Sequence, residues 1–160
     1  MKVGILMGSR NDYPVVERAE AVLDGFNVAY TTRIISAHRT PSVAEAFSKG
    51  AEGEGIEVII AAAGKAAHLA GVIAANTPLP VIGLPVKSST LDGLDSLLSI
   101  VQMPKGIPVA TVAIDGAENA ALLAVQILSV KYPELREAMR EYKAAMEREI
   151  IQTDLEFQER

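Results

Sequence analysis

Short continuous apolar runs alternate along this chain with segments whose apolar positions recur every three to four residues. Residues 3–7 form the first run, which ends at Gly8, and Val15, Val16, Ala19, Val22 and Leu23 then recur at helical spacing. Residues 28–35 are a second extended segment, and residues 43–51 carry Val43, Ala46, Phe47 and Ala51 on a helical stripe. Residues 56–63 contain Val58-Ile59-Ile60, a run without polar alternation, and a helix of small apolar residues follows over 66–75. The pattern then predicts a strand over 80–84, a helix over 91–101, a fifth strand over 108–114 and a helix over 117–130. Strands without polar alternation, separated by helices, imply a parallel sheet covered on both faces. Right-handed crossovers make this an α/β protein: a three-layer, doubly wound parallel sheet of the flavodoxin or Rossmann-like kind.

The end of the chain has a different pattern. Residues 133–156 carry Leu135, Met139, Tyr142 and Met146 at 4-3-4 spacing among Arg, Glu and Lys. Pro133 suits a first helical turn. At 1.5 Å per residue, about 24 residues reach ~36 Å, longer than a crossover requires. The expected organisation is a single α/β catalytic domain, residues 1–132, with an extended C-terminal helix, residues 133–160, as an arm that packs on a neighbouring subunit. The alternative is a last helix folded on its own sheet with a frayed end.

Composition narrows the chemistry. A chain of 160 residues fits one domain and buries enough surface to fold without a staple. It has no cysteine, which removes disulfides, zinc fingers, iron–sulfur sites and thiol nucleophiles together. Fifteen basic against twenty acidic residues give a net charge of −5, which offers nucleic acid no basic footprint. At 4% aromatic residues there is no stacking platform for bases either. No apolar run approaches the roughly 18 residues of a membrane span. The apolar start at 3–7 is also shorter than a signal-peptide core of roughly 7–15 residues. The expectation is a cytoplasmic protein with neither a membrane nor a nucleic acid as partner.

Two histidines, no cysteine and no helical acidic pair disfavour a transition-metal site. No G-x-G-x-x-G follows a strand. Ile59 stands where a P-loop needs its first glycine, and Lys65 lacks the Ser or Thr that should follow it. There is no G-x-S-x-G elbow. The chemistry is therefore expected to run without metal or cofactor, by positioning and proton transfer.

Ligands of an open parallel sheet bind beyond the carboxyl ends of its strands. Three loops there stand out. In Gly8-Ser9-Arg10-Asn11-Asp12, Gly8 permits a tight turn, Asn11 or Asp12 can cap the first helix, and Ser9 offers a hydroxyl to a phosphate. In Ser36-Ala37-His38-Arg39-Thr40-Pro41, an imidazole that titrates near neutrality stands beside a fixed cation with a fork for phosphate oxygens. In Ala63-Gly64-Lys65-Ala66-Ala67-His68, Gly64 permits close backbone approach, and His68 reads equally as a packing histidine or a direct participant. Lys87-Ser88-Ser89-Thr90 adds hydroxyls, a weaker signal.

Together these strings resemble the PurE family, small purine-biosynthesis enzymes that act on carboxylated aminoimidazole ribonucleotides. The resemblance rests on residues 3–9, Ser36-Ala37-His38-Arg39-Thr40-Pro41, Ala66-Ala67-His68-Leu69, Asp95-Ser96-Leu97, Ser99-Ile100-Val101-Gln102-Met103-Pro104 and Asn119-Ala120-Ala121-Leu122-Leu123-Ala124. It spans nearly the whole chain. Arg39 and His68 match the class of mutases that convert N5-carboxyaminoimidazole ribonucleotide to the 4-carboxy isomer. The carboxylase class, which uses free CO2, has Lys where Arg39 stands and lacks the histidine at 68. Two residues depart from the mutase pattern: Asn11, usually Ser, and Lys65, usually Gly, where a basic residue is closer to the carboxylases.

The resemblance implies a cofactor-free isomerase with His38 as general acid and base. It further implies Ser9 and Arg39 on the 5′-phosphate, Asp12 on the ribose hydroxyls, and Ser36 among the substrate-binding residues. The main chain of 64–68, with Gly64 and His68, would face the imidazole and the carboxylate. A homo-octamer is implied as well. The alternatives are the carboxylase and a non-catalytic flavodoxin-like binding module. A phosphorylatable receiver would need paired acidic residues after the first strand, and residues 3–11 contain none.

Overall fold

The computed structural model describes residues 1–159, so Arg160, the last residue of the expected arm, lies outside the described residues. At its centre is a five-stranded parallel sheet in the order β2-β1-β3-β4-β5. The inner strands are β1 (Lys2–Met7), β3 (Val58–Ala63) and β4 (Val81–Pro85), and every residue of β3 and β4 is buried. β2 (Ala29–Ile34) and β5 (Ala110–Thr111) are the edges. Among the described residues there are six α-helices: α1 (Tyr13–Gly25), α2 (Pro41–Gly50), α3 (Leu69–Ala75), α4 (Leu94–Val101), α5 (Ala117–Leu128) and α6 (Pro133–Gln158).

Alternation along β1 divides the core in two. Val3, Ile5 and Met7 face the layer of α1, α5 and the start of α6, where Val16, Leu23, Ala124 and Leu135 meet them. Leu6 faces the other layer, with Phe47 of α2, Ile73 of α3 and Ile100 of α4. Gly4 shares that second face, and a β-carbon there would stand 3.1 Å from the Phe47 ring. Each fully buried Ile or Leu of these clusters contributes roughly 1.5–3 kcal/mol over leaving it exposed. The three-layer, doubly wound architecture follows.

Local details differ from the sequence pattern for identifiable reasons. The fifth strand is Ala110–Thr111 rather than 108–114; Pro108 has no N–H to extend the ladder at its start, and beyond its end the Val112 N–H still donates to the Gly83 carbonyl at 3.1 Å. The buried face of α2 is Ala44, Phe47 and Ser48, while Val43 and Ala46 are exposed. Ser48 tolerates burial because its hydroxyl donates to the Ala44 carbonyl at 2.7 Å. Helix α3 begins at Leu69, not at 66: after Lys65, with φ +54°, a tight turn gives the His68 N–H to the Ala66 carbonyl at 2.9 Å. In α6 only Leu135 and Met139 are buried, and Ile150, Ile151 and Leu155 near its end are exposed. Among the described residues no helix is long and apolar enough to cross a membrane.

Candidate active site

Strand order reverses at β1, whose neighbours are β2 on one side and β3 on the other. The loops leaving β1, β2, β3 and β4 meet beyond their carboxyl ends around a cleft of about 580 Å³. Ser9, Asp12, Ser36, His38, Arg39, Gly64 and His68 all line it, together with Asn11, Lys65, Lys87 and Ser88. Every residue singled out from the three loops thus reaches one place, although the histidines are 30 positions apart in the chain.

The first loop is a 3-10 turn, Arg10–Asp12, set before α1. Ser9 caps it: its Oγ accepts from the Asn11 N–H at 3.2 Å, and its own N–H donates to Asp12 Oδ2 at 3.0 Å. This reciprocal box replaces the expected cap, since neither Asn11 nor Asp12 caps α1 with its side chain. Burial pushes the Asp12 carboxyl above the usual carboxylate value, and the bond from Ser9 and the charge of Arg39 offset that only in part.

The second loop is closed on itself. Thr40 Oγ1 accepts from the Ser36 N–H and donates to the Ser36 carbonyl, both at 3.0 Å. The Ser36 hydroxyl accepts from the Arg39 main-chain N–H at 3.2 Å and from its Nε at 3.4 Å. Arg39 Nη2 then reaches across to donate to the Gly8 carbonyl at 2.9 Å, which ties the first two loops together. Ser36 therefore positions Arg39 as well as facing the cleft.

His38, on the same loop, meets His68 of the third. His38 Nε2 and His68 Nδ1 are 2.8 Å apart, with the rings edge to face at 73°. One ring donates and the other accepts, so the tautomer of each is set by the other. His68 is exposed and bonded to its fellow histidine rather than packed in the core. Beside it the main chain at Gly64 passes so close to β4 that a β-carbon would stand 3.3 Å from the Val86 carbonyl oxygen.

The charge of the cleft favours an anion. Arg39, Lys65 and Lys87 line it against a single carboxylate, Asp12. Asp115 is a contributor that the sequence barely signals beyond the turn-forming Asp115-Gly116 pair. Its Oδ1 accepts from the Lys87 N–H at 2.8 Å, and its own N–H donates to the Pro85 carbonyl at 2.8 Å, which fixes the β4 loop. Among the described residues no group of His, Asp or Glu is placed to hold a metal ion.

The family model described as AIR carboxylase matches residues 2–149. A Pyrococcus abyssi protein named N5-carboxyaminoimidazole ribonucleotide mutase is 62% identical over 147 residues, 92% of this chain and 84% of its own. The protein of that name from Thermotoga maritima is 57% identical over 151 residues, 94% of this chain and 88% of its own. The crystal structure of Treponema denticola PurE superposes with a TM-score of 0.87 at 32% identity, covering 97% of both chains.

Proposed function

The chain belongs to the AIR carboxylase family, and on that premise we propose that its cleft works with His38 as the proton carrier. The protein is an isomerase of purine biosynthesis, converting N5-carboxyaminoimidazole ribonucleotide to 4-carboxyaminoimidazole ribonucleotide. The carboxylate must leave a nitrogen and join a carbon of the same molecule. Proton donation from His38 to N5 breaks the N–C bond, leaving a neutral amine and CO2. The electron-rich C4 then attacks that CO2, forming the new C–C bond, and the C4 proton returns to His38. Catalyst and proton are both restored.

One observation carries the role of His38: it lies beside Arg39 at the cleft and shares a 2.8 Å bond with the second imidazole, His68. Acid–base help of this kind contributes roughly 10²–10⁴-fold. Holding CO2 against C4 makes the second step internal, worth up to about 7–11 kcal/mol. The side chains of Ala63 and Ala66 give the cleft an apolar patch that suits this.

In the same reading Ser9 and Arg39 hold the 5′-phosphate, Asp12 the ribose hydroxyls, and Ser36 sets Arg39. Gly64 and the main chain up to His68 lie against the heterocycle. The working form is a cytoplasmic homo-octamer in which the arm, 133–160, packs on a neighbouring subunit. Exposed Leu91, Leu94, Leu98 and Val101 along one side of α4 and the turn before it, with Ile150, Ile151 and Leu155 on α6, support subunit contacts. Purified protein offered the N5-carboxylated nucleotide should form the 4-carboxy product without added bicarbonate. Product formed only from aminoimidazole ribonucleotide plus bicarbonate would instead establish the carboxylase.

A further inference from the structure

Lys65 is one of the polar cleft residues that these roles leave unused, with Asn11, Lys87 and Ser88. It follows Gly64 at the carboxyl end of β3 and has φ +54°. Of the non-glycine residues with positive φ, Asn27, Asp92 and Asp115 are of the types that tolerate it, whereas Lys65 and Leu91 are not. Of these last two, Lys65 lines the cleft. Glycine would make the same turn without the conflict at Cβ. The backbone thus gives no reason for a lysine here, and a side chain held at such a cost inside a cleft points to the ligand.

Its charge is also free. Arg39 donates to the Gly8 carbonyl at 2.9 Å, and Lys87 pairs with Asp92 at 3.2 Å. Lys65 has no ion pair or side-chain hydrogen bond among the described residues. Asp12, the one acid of the lining, is engaged by the Ser9 N–H at 3.0 Å.

Position completes the case. The loops of Arg39 and Lys65 follow β2 and β3, which lie on either side of β1. The strand ends that carry them are therefore two spacings apart, ~10 Å, and the loops close over that gap only where His38 meets His68. The substrate carries two anionic groups at opposite ends, a phosphate and a carboxylate. With Arg39 at the phosphate, Lys65 stands toward the other end. Resting on the function given above, we propose that Lys65 is a specificity-determining residue whose ammonium holds the migrating carboxylate, on N5 in the substrate and on C4 in the product. The grip lapses while the carbon is neutral CO2. Lys65 thus selects carboxylated nucleotides over the decarboxylated one, and its loss raises KM without lowering kcat.

The test measures binding of 4-carboxyaminoimidazole ribonucleotide and of aminoimidazole ribonucleotide to the native protein, Lys65→Met, Lys65→Gly and Lys65→Arg. Native protein should prefer the carboxylated ligand. Lys65→Met and Lys65→Gly should each lose roughly tenfold in affinity for it, the scale of one charged hydrogen bond. Both should bind the decarboxylated ligand within about twofold of native on the same scale, and Lys65→Arg should retain the preference. Full preference in Lys65→Gly would overturn the proposal. So would equal losses for both ligands, which would assign Lys65 to the phosphate or to the fold. Native protein that binds neither nucleotide would overturn the reading of the whole site, a result distinct from either.

Discussion

Arg39→Ala removes the group that joins two loops and, in this account, grips the phosphate. In the structure its Nη2 donates to the Gly8 carbonyl at 2.9 Å and its Nε to Ser36 Oγ at 3.4 Å. The remaining N–H groups of the guanidinium are left for phosphate oxygens. The side chain is exposed, so truncation hands the Gly8 carbonyl to water at little cost to the fold. The loss falls on binding. One charge-assisted hydrogen bond is worth about 1.5–3 kcal/mol, or roughly ten- to 150-fold in affinity. Arg39→Lys keeps the charge and loses the fork, so it should recover only part of that. The assay is steady-state kinetics with calorimetric titration of the product. KM and Kd should rise by that factor, with kcat nearly unchanged. Affinity within twofold of native, or a fall in kcat at constant KM, would refute the assignment of Arg39.

The sign of a pH effect can be read from Asp12. Burial raises its folded-state pKa above the usual 3.8, so the fold binds its proton more tightly than the unfolded chain does. Native stability relative to Asp12→Asn should therefore fall as pH rises from below 3.8 to above the raised value. Chemical denaturation at several pH values measures this, and a difference that grows instead would contradict it. Gly83→Ala places a β-carbon 2.2 Å from Ile100 Cγ2 and 2.9 Å from Val109 Cγ1. It should cost about 1–3 kcal/mol and several degrees of melting temperature, and an unchanged melt would show that α4 is not seated on β4 in this way.

How much of this was legible depended on how far each signal travels along the chain. The inner strands were plain because runs such as Val58-Ile59-Ile60 are buried on both faces and need no partner to be recognised. The long α6 was equally plain from its spacing. Local competition defeated the pattern elsewhere. A 3-10 turn moved the cap from Asn11 or Asp12 back to Ser9, and a tight turn from Ala66 to His68, after a left-handed Lys65 that no propensity suggests, delayed α3 to Leu69. For the site, strand ends gave the right loops, but the bond between His38 and His68 depends on β1 lying between β2 and β3. Asp115 reaches the cleft only through the Lys87 main chain, so no residue-type argument would select it.

The proposed proton carrier is one imidazole, that of His38. Its most direct test is single-turnover conversion of the N5-carboxylated nucleotide by His38→Asn, with binding measured on the same sample. Asparagine removes the ring that would carry the proton while keeping a polar neighbour for His68. The nucleotide should bind as to native protein while conversion slows by at least the ~10²–10⁴ that acid–base help supplies. Conversion at the native rate would contradict it.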